Sequence, residues 1–234
     1  MRILVDGGCW ANGRGYGRFT REILTALARA PRHEYVVLLE KNVDGFRLPF
    51  ETVRVDLSQS IADAASSGGR RSLRDLLAFS VAAAKQRADA IFFPSVYSYF
   101  PILRPMRGLV GIHDTMADRF PQFAFDSPRQ QRFWKWKMRV ALAQCREVLT
   151  VSEYSKESIA SHWKLPRQRI HVVCEGPAPV FGPQDIPKRD IVLYVGGVSP
   201  NKNLATLIRA FSKVQRGFEL VIAGDYQGDG FKTC

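Results

Sequence analysis

Short apolar runs alternate with amphipathic segments along the chain. The runs at Arg2–Asp6 and Ala90–Phe93 are nearly continuous, as is usual for strands buried on both faces of a parallel sheet. The same pattern predicts five further strands before residue 176, at 35–39, 51–56, 109–112, 148–151 and 170–173. Strands that alternate with helices predict an α/β fold, with a Rossmann-like parallel sheet and helices on both faces.

Three longer helices are predicted between the strands, at 19–30, 73–87 and 129–146. In the last of these, one face is apolar and another is basic at 100° per residue. The apolar face holds Trp134, Met138, Ala141 and Cys145, and the basic face holds Arg132, Lys135, Arg139 and Arg146. Ser152 is predicted to cap a helix that begins at Glu153 or Tyr154, because its hydroxyl can accept an unpaired backbone N–H.

A proline-rich connector at 177–187 marks a domain boundary, and the pattern restarts beyond it. The predicted domains are 1–180 and 188–234. The second contains a strand at Ile191–Val195, a helix at 204–214 and a strand at 218–223. A single strand–helix–strand unit of about 45 residues cannot bury a sheet by itself. We therefore expect a partial second Rossmann-like unit, truncated from a longer two-domain protein.

The chain carries a formal net charge of +12. Such a charge suits a phosphorylated ligand, an anionic membrane surface or nucleic acid, or it only keeps the protein soluble. No RNA- or DNA-reading motif is visible, so nucleic acid is not a predicted partner. The cysteines and histidines lack metal-ligand spacing, and we expect neither a metal nor a disulfide framework. Without a signal peptide or a bilayer-spanning run, the predicted location is the cytoplasm, with peripheral contact at the inner face of the membrane as a further hypothesis.

A glycine-rich loop follows the first strand, with Gly13, Gly15 and Gly17 ahead of the predicted helix. Unpaired backbone N–H groups at such a junction favour a phosphate. The dinucleotide fingerprint G-x-G-x-x-G comes directly after its strand, whereas Gly13 lies seven positions after Asp6. An NAD-dependent enzyme, with Glu40 as the ribose-binding acid, is therefore the weaker alternative, and a glycine-rich turn without a ligand is another.

Three polar side chains, His113, Asp114 and Lys202, follow predicted strands, where parallel sheets bind their ligands. A lysine beside a helix N-terminus can bind a diphosphate through its charge together with backbone N–H groups. The alternatives are a structural histidine and a solvated surface lysine. Glu175, after the last strand of the first domain, is predicted to belong only to a turn.

Two basic stretches are candidates for contact with lipid headgroups. One is the aromatic and basic segment 133–137, although its predicted helix could equally pack on the core with its basic side in solvent. The other is Arg70 and Arg71 together with Arg74, in and after a flexible loop predicted at 66–71.

Four segments, in order, carry a resemblance to a known family. They are Gly15-Tyr16-Gly17-Arg18-Phe19; Ile112-His113-Asp114-Thr115 with Phe120-Pro121; Val151-Ser152-Glu153-Tyr154-Ser155 with 169–176; and 194–204, which contains Gly196 and Pro200-Asn201-Lys202-Asn203. Their order and spacing across nearly the whole chain resemble the GT-B retaining glycosyltransferases of family 4, the mannosyltransferase-like enzymes of polysaccharide synthesis. The two predicted domains would then be the acceptor-side N-terminal domain and the start of the nucleotide-sugar-binding C-terminal domain.

The resemblance implies transfer of a hexose, mannose or similar, from a nucleotide diphosphate sugar to a saccharide or polyprenyl-linked acceptor, with retention. It implies no metal and no cofactor, because members of the family hold the diphosphate with backbone N–H groups and basic side chains. By carry-over, the catalytic residues are His113 and Lys202, the donor-binding residues are Gly15, Gly17, Gly196 and Lys202, and the acceptor-binding residues are Arg18 and Asp114.

The sequence departs from the family pattern at three places that members of the family use to bind the donor. Asn201 stands where many members have an arginine, and Gly197 stands where some have another. The family's Glu-x7-Glu motif is absent, because Glu219 is the one glutamate after Glu175. We therefore expect this chain to be inactive or nearly so, and a non-catalytic acceptor- or membrane-binding module is the alternative.

Overall fold

A computed structural model describes residues 1–13, 15–58, 72–178, 180–183, 185, 187–214 and 217–224. The chain divides into two compact units, Met1–Gly176 and Pro177–Cys234. Arg70 and Arg71 of the predicted basic loop lie outside the described residues.

The first unit is built on a seven-stranded sheet in which every pair of neighbours is parallel. The strands are β1 (Arg2–Asp6), β2 (Glu34–Glu40), β3 (Glu51–Val55), β4 (Ala90–Phe93), β5 (Arg107–Gly111), β6 (Glu147–Thr150) and β7 (Ile170–Val172). The helices are α1 (Gly15–Arg29), α2 (Leu73–Lys85), α3 (Met116–Arg119), α4 (Pro128–Gln144) and α5 (Glu153–Trp163). The order of the strands in the sheet is β3-β2-β1-β4-β5-β6-β7, which confirms the predicted Rossmann-like parallel sheet.

Two apolar clusters cover opposite faces of this sheet. Successive strand residues point to opposite faces, so Leu4 joins one cluster and Val5 the other. Helix α1 packs on the second cluster through Phe19 and Leu24, while α4 packs on the first through Met138. The prediction of helices on both faces is confirmed.

Helix α4 begins with a capping box, in which Ser127 and Gln130 each bond the other's backbone N–H. Its predicted apolar face is buried, and its predicted basic face is exposed. The buried residues are Trp134, Met138, Ala141 and Cys145, and the exposed ones are Arg132, Lys135, Arg139 and Arg146. At the next helix, the Ser152 hydroxyl accepts from the Ser155 N–H at 3.1 Å, as predicted for a cap before Glu153.

The start of α1 corrects the sequence prediction. The helix begins at Gly15, four residues before the predicted start at Phe19, so Gly15 and Gly17 lie in its first turn. Gly17 is buried, and a Cβ there would lie 1.8 Å from the Asn12 carbonyl oxygen. Glycine is therefore required at 17 by close packing, which overrides its poor helix propensity.

The second unit contains two parallel strands and one helix. They are β8 (Ile191–Val195), α6 (Leu204–Phe211) and β9 (Glu219–Ala223). The helix ends three residues before the predicted end at 214. Leu204 is buried, but Leu193 and Val195 of β8 are 55% and 73% exposed.

Candidate functional site

His113 is held just after the carboxyl end of β5 by the neighbouring strand. Its Nε2 lies 3.1 Å from the Pro94 carbonyl oxygen. Since a carbonyl oxygen can only accept, Nε2 carries the proton and donates. A side chain at Gly111 would place its Cβ 2.2 Å from the same Pro94 oxygen. Gly111 thus permits the close approach of β5 to Pro94 that fixes the orientation of the imidazole.

The first turn of α1 packs directly on His113. The Phe19 ring meets the imidazole edge to face at 4.6 Å between centroids, and the Tyr16 ring does so at 5.5 Å. Both aromatics belong to the glycine-containing segment of the sequence. The structure therefore brings together two of the predicted site segments, although they are almost a hundred residues apart in the sequence. They are residues 15–19, called the glycine turn below, and the His113-Asp114 segment.

A small recess lies beside His113. Tyr16 and Tyr97 stack there at 4.4 Å between ring centroids, and their hydroxyls share a hydrogen bond. Burial raises the pKa of both phenols, that of Tyr97 to about 12, so both are neutral at physiological pH. The recess encloses about 260 Å³ together with its open mouth. Its lining is formed by Tyr16, Ser95, Val96, Tyr97, Ile112, His113, Asp114, Ala117 and Trp134.

Glu175 is a site residue that the sequence prediction missed. Its Oε1 lies 3.8 Å from His113 Nδ1, on the side of the ring opposite the Pro94 bond. The His113 side chain is 11% exposed and that of Glu175 is 52% exposed. Glu175 follows β7, as His113 follows β5. This position after a strand was the one sequence feature that could have identified Glu175 as a site residue.

The segment after His113 is anchored by polar contacts. Asp114 is exposed, and its Oδ1 accepts from the Met116 N–H at 2.8 Å. Thr115 Oγ1 lies 2.6 Å from Ser158 Oγ on α5. The Asp114 carboxylate is therefore presented at the surface by a segment that is tied to a neighbouring helix.

Asp118 joins α3 to the two helices behind it. Its carboxylate accepts from Trp134 Nε1 at 2.7 Å and from Trp163 Nε1 at 3.3 Å. Burial raises the pKa of Asp118, and the bond from Trp134 opposes part of that shift. This clamp stabilises the four-residue helix that directly follows the predicted site residues.

The two predicted donor-binding glycines of α1 differ in their surroundings. Gly15 is exposed, and among the described residues no atom apart from its chain neighbours and its own helix backbone lies within 4 Å of the place its Cβ would occupy, whereas Gly17 is enclosed by the Asn12 backbone. Arg18 is exposed one residue further on. The packing of Gly17 accounts for that glycine without a ligand, and donor contact at Gly15 stays a prediction.

The predicted residues of the second unit lie between β8 and α6. The Gly196 N–H donates to the Ala223 carbonyl at 2.9 Å. Lys202 is exposed in a single 3₁₀ turn, Pro200–Lys202, and Asn203 then turns the chain into α6 with φ of +53°. Among the residues that the structure describes, the Lys202 ammonium forms no ion pair, which leaves its charge available to an anion.

Two kinds of feature are not found in the described part of the chain. No group of three or more His, Cys, Asp or Glu side chains there could hold a metal ion. Likewise, none of the helices over those residues has the length and apolar character needed to cross a membrane.

Known proteins resemble this chain in sequence and in fold. The model of Glycosyltransferase Family 4 matches residues 13–177. The O-antigen chain mannosyltransferase RfbU of Salmonella typhimurium (strain LT2) is 26% identical over 122 residues, which are 52% of this chain and 33% of RfbU. The aligned segment therefore spans about a third of that curated relative.

Two solved structures share the fold at 12% sequence identity. WaaG, a glycosyltransferase involved in lipopolysaccharide biosynthesis, superposes with a TM-score of 0.63, covering 97% of this chain and 65% of WaaG. The catalytic domain of starch synthase IV from Arabidopsis thaliana, bound to ADP and acarbose, superposes with a TM-score of 0.58, covering 95% of this chain and 68% of that domain. The chain thus spans about two thirds of each.

Proposed function

Because the chain belongs to glycosyltransferase family 4 and has the GT-B type of fold, we propose that it takes part in moving a sugar from a nucleotide diphosphate sugar to a saccharide acceptor. The observation that carries this proposal is the setting of His113. Its imidazole is oriented by Pro94, packed under the glycine turn, and presented at the carboxyl edge of the sheet. Ligands of open α/β sheets bind at that edge.

The roles proposed for individual residues are those that the family resemblance implies. His113 contacts the transferred sugar, and Gly15 approaches a donor phosphate at the N-terminus of α1. Lys202 binds the diphosphate and stabilises the charge of the leaving nucleotide, an electrostatic role. Arg18 and Asp114, both exposed, bind the acceptor.

The finer features of the reaction are part of the same proposal. The sugar is a hexose, mannose or similar, the reaction retains configuration, and the acceptor is a saccharide or a polyprenyl-linked saccharide. The diphosphate is bound without a metal, by a basic side chain and backbone N–H groups.

Nucleotide binding by Lys202 can be tested by calorimetric titration. GDP-mannose and UDP-glucose are titrated into wild type, Lys202→Ala and Lys213→Ala, the last being an exposed lysine of the same unit. We expect at least one nucleotide sugar to bind, and Lys202→Ala to weaken it about 10-fold or more, since a charge-assisted hydrogen bond contributes about 1.5–3 kcal/mol. Lys213→Ala should bind as wild type does.

The proposal is contradicted if neither nucleotide sugar binds to the wild type. NAD is titrated into the same protein as a comparison, and binding of NAD without binding of either sugar would favour the NAD-dependent enzyme.

Membrane binding is a second candidate function, and the outer face of α4 favours it. The exposed rings of Phe133 and Trp136 lie 5.9 Å apart, among the exposed basic residues Arg132 and Arg139. Aromatic and basic side chains on one helix face suit an anionic headgroup region. The neighbouring Trp134 and Lys137 do not contribute, because they are buried, and Lys137 Nζ donates to the Tyr97 carbonyl.

Vesicle co-sedimentation distinguishes this second function. Wild type should pellet with vesicles that contain phosphatidylglycerol and remain in solution with pure phosphatidylcholine. Reversal of the charges at Arg132 and Arg139 should abolish pelleting, whereas reversal at Arg167 and Arg189, exposed basic residues outside α4, should not. Equal pelleting of both double variants would assign the binding to net charge and contradict a role for this face.

A further inference from the structure

Among the residues that the structure describes, two histidine–glutamate pairs lie within ion-pair distance, and they differ in whether the two side chains are hydrogen-bonded to each other. On the strands β6 and β7, His171 Nε2 and Glu147 Oε2 lie 2.6 Å apart, in direct hydrogen-bond contact. In the candidate site, His113 Nδ1 and Glu175 Oε1 lie 3.8 Å apart, which is too far for a hydrogen bond. The two side chains at the site are therefore not hydrogen-bonded to each other, and a ligand can contact both of them at once.

The hydrogen-bonding character of the gap between these two side chains is fixed by Pro94. Because His113 Nε2 donates to the Pro94 carbonyl, the neutral imidazole presents Nδ1 as an acceptor. The ionised carboxylate of Glu175 is also an acceptor only. Two acceptors thus face one gap, and a ligand that bridges them brings two donors, carried either by one atom or by adjacent positions.

Adjacent hydroxyls on a sugar ring have this character, since each carries one O–H donor and they project from neighbouring carbons. One hydroxyl would donate to Nδ1 of the nearly buried His113, and the next would donate to the half-exposed carboxylate of Glu175. Glu175 also carries the negative charge that strengthens such a bond.

We propose that Glu175 is a substrate-binding residue which, together with His113, selects a sugar with a vicinal pair of free hydroxyls. The proposal rests on the proposed function for its choice of ligand class. The proposal adds Glu175, which lies outside both the glycine turn and the His113-Asp114 segment, to the residues that bind the substrate. The sugar so bound is either that of the nucleotide donor or that of the acceptor, and the chemistry of the contact is the same for both.

The test compares sugars that have the vicinal pair with sugars that lack it. In a glycoside whose anomeric carbon is substituted, position 3 belongs to both vicinal pairs of a hexopyranose, so a 3-deoxy sugar has none. The donor arm uses GDP-mannose, its 3-deoxy analogue and free GDP, with the UDP-glucose series in parallel. The acceptor arm uses methyl α-mannoside and its 3-deoxy analogue, and affinities are measured by calorimetry or by ligand-observed NMR.

Glu175→Gln and Glu175→Ala are compared with Glu147→Gln, which alters the hydrogen-bonded histidine–glutamate pair of the same sheet. We expect both Glu175 variants to lose about 10-fold in affinity for the 3-hydroxy sugar of one arm, as for one hydrogen bond to a charged group. Their affinity for the 3-deoxy sugar and for free nucleotide should equal that of wild type. Glu147→Gln should match wild type throughout, and all three variants should unfold at the wild-type urea midpoint.

Several outcomes would overturn the assignment. Equal losses for the 3-hydroxy and 3-deoxy sugars would make Glu175 a structural residue, and unchanged affinity in both variants would remove it from the site. If wild type binds free nucleotide and nucleotide sugar but Glu175 has no effect in either arm, this inference fails while the proposed function stands. If wild type binds no nucleotide and no glycoside, both fail.

Discussion

The two units of the chain bury their strands to very different extents. In the first unit, Val36, Leu38 and Phe93 have no exposed surface, whereas Leu193 and Val195 of the second unit are 55% and 73% exposed. The predicted catalytic side chains follow the same division, since His113 packs against two aromatic rings and Lys202 is exposed to solvent. Removal of the His113 side chain should therefore change folding along with binding, whereas removal of the Lys202 side chain should change binding alone.

Tryptophan fluorescence can separate the two units experimentally. All four tryptophans, Trp10, Trp134, Trp136 and Trp163, belong to the first unit. Urea unfolding followed by tryptophan emission therefore reports the first unit, while far-UV circular dichroism reports both. The following comparisons use these two signals.

The largest difference is expected for apolar strand residues. Phe93→Ala removes a fully buried ring that meets Phe100 and Tyr99, and it should cost about 3–5 kcal/mol of the unfolding free energy of the first unit. Val195→Ala, at an exposed strand position, should change stability by about 0.5 kcal/mol or less. A similar cost for both variants would show that the strands of the second unit are as well buried as those of the first.

The next largest difference in stability is expected between substitutions at two glycines in the first turn of α1. Gly17→Ala would drive a Cβ into the Asn12 carbonyl, and because backbone must move, we expect a loss of about 3 kcal/mol. Gly15→Ala meets no other described part of the chain within 4 Å and should be neutral within about 0.5 kcal/mol. Tryptophan-monitored urea unfolding checks both. A neutral Gly17→Ala would mean that the first turn of α1 is not packed as the structure has it.

A smaller difference is expected between the two predicted catalytic residues. His113→Ala loses the contacts with Phe19 and Tyr16 and the bond to Pro94, so it should cost about 1–3 kcal/mol. Lys202→Ala should leave the circular-dichroism urea curve unchanged within about 0.5 kcal/mol, because its side chain is solvated. A destabilised Lys202→Ala would contradict a purely ligand-binding role.

The smallest effect is a dependence on pH at Asp118. Its pKa is raised by burial from the ordinary 3.8, so the native state holds this proton more tightly than the unfolded chain does. The resulting stability is present below pH 3.8 and is lost as the pH rises through the native pKa. The stability of wild type relative to Asp118→Asn should therefore be greater at about pH 4 than at about pH 7, as measured by urea unfolding at the two pH values. The opposite sign would mean that the indole bonds outweigh burial.

Apolar periodicity predicted most of the fold. The strands at Ala90–Phe93 and Ile191–Val195 have the predicted bounds, because both are short, continuous apolar runs of the kind that form parallel strands. The helix start at Gly15 was not predicted, since glycine is a poor helix former and only the tertiary approach of Asn12 explains Gly17. Local propensity carries no information about such an approach.

The candidate site was predictable in its motifs and not in its contacts. His113, Asp114 and Gly15 belong to recognisable segments, and the sheet places these segments together as expected from the carboxyl ends of its strands. Glu175 was interpreted as part of a turn, because its relation to His113 spans 62 positions and arises from the order of β5, β6 and β7. The burial that raises the pKa of Tyr97 and of Asp118 likewise depends on packing.

Gly111 and Pro94 limit where the His113-Asp114 segment could be transplanted by protein engineering. The carbonyl that orients the imidazole belongs to a different strand end, and any residue larger than glycine at 111 would collide with it. A graft of the short motif onto another parallel sheet would therefore carry the imidazole without its orientation. A designer would need to move four positions together, the motif pair along with Gly111 and Pro94, to reproduce the side chain in its present setting.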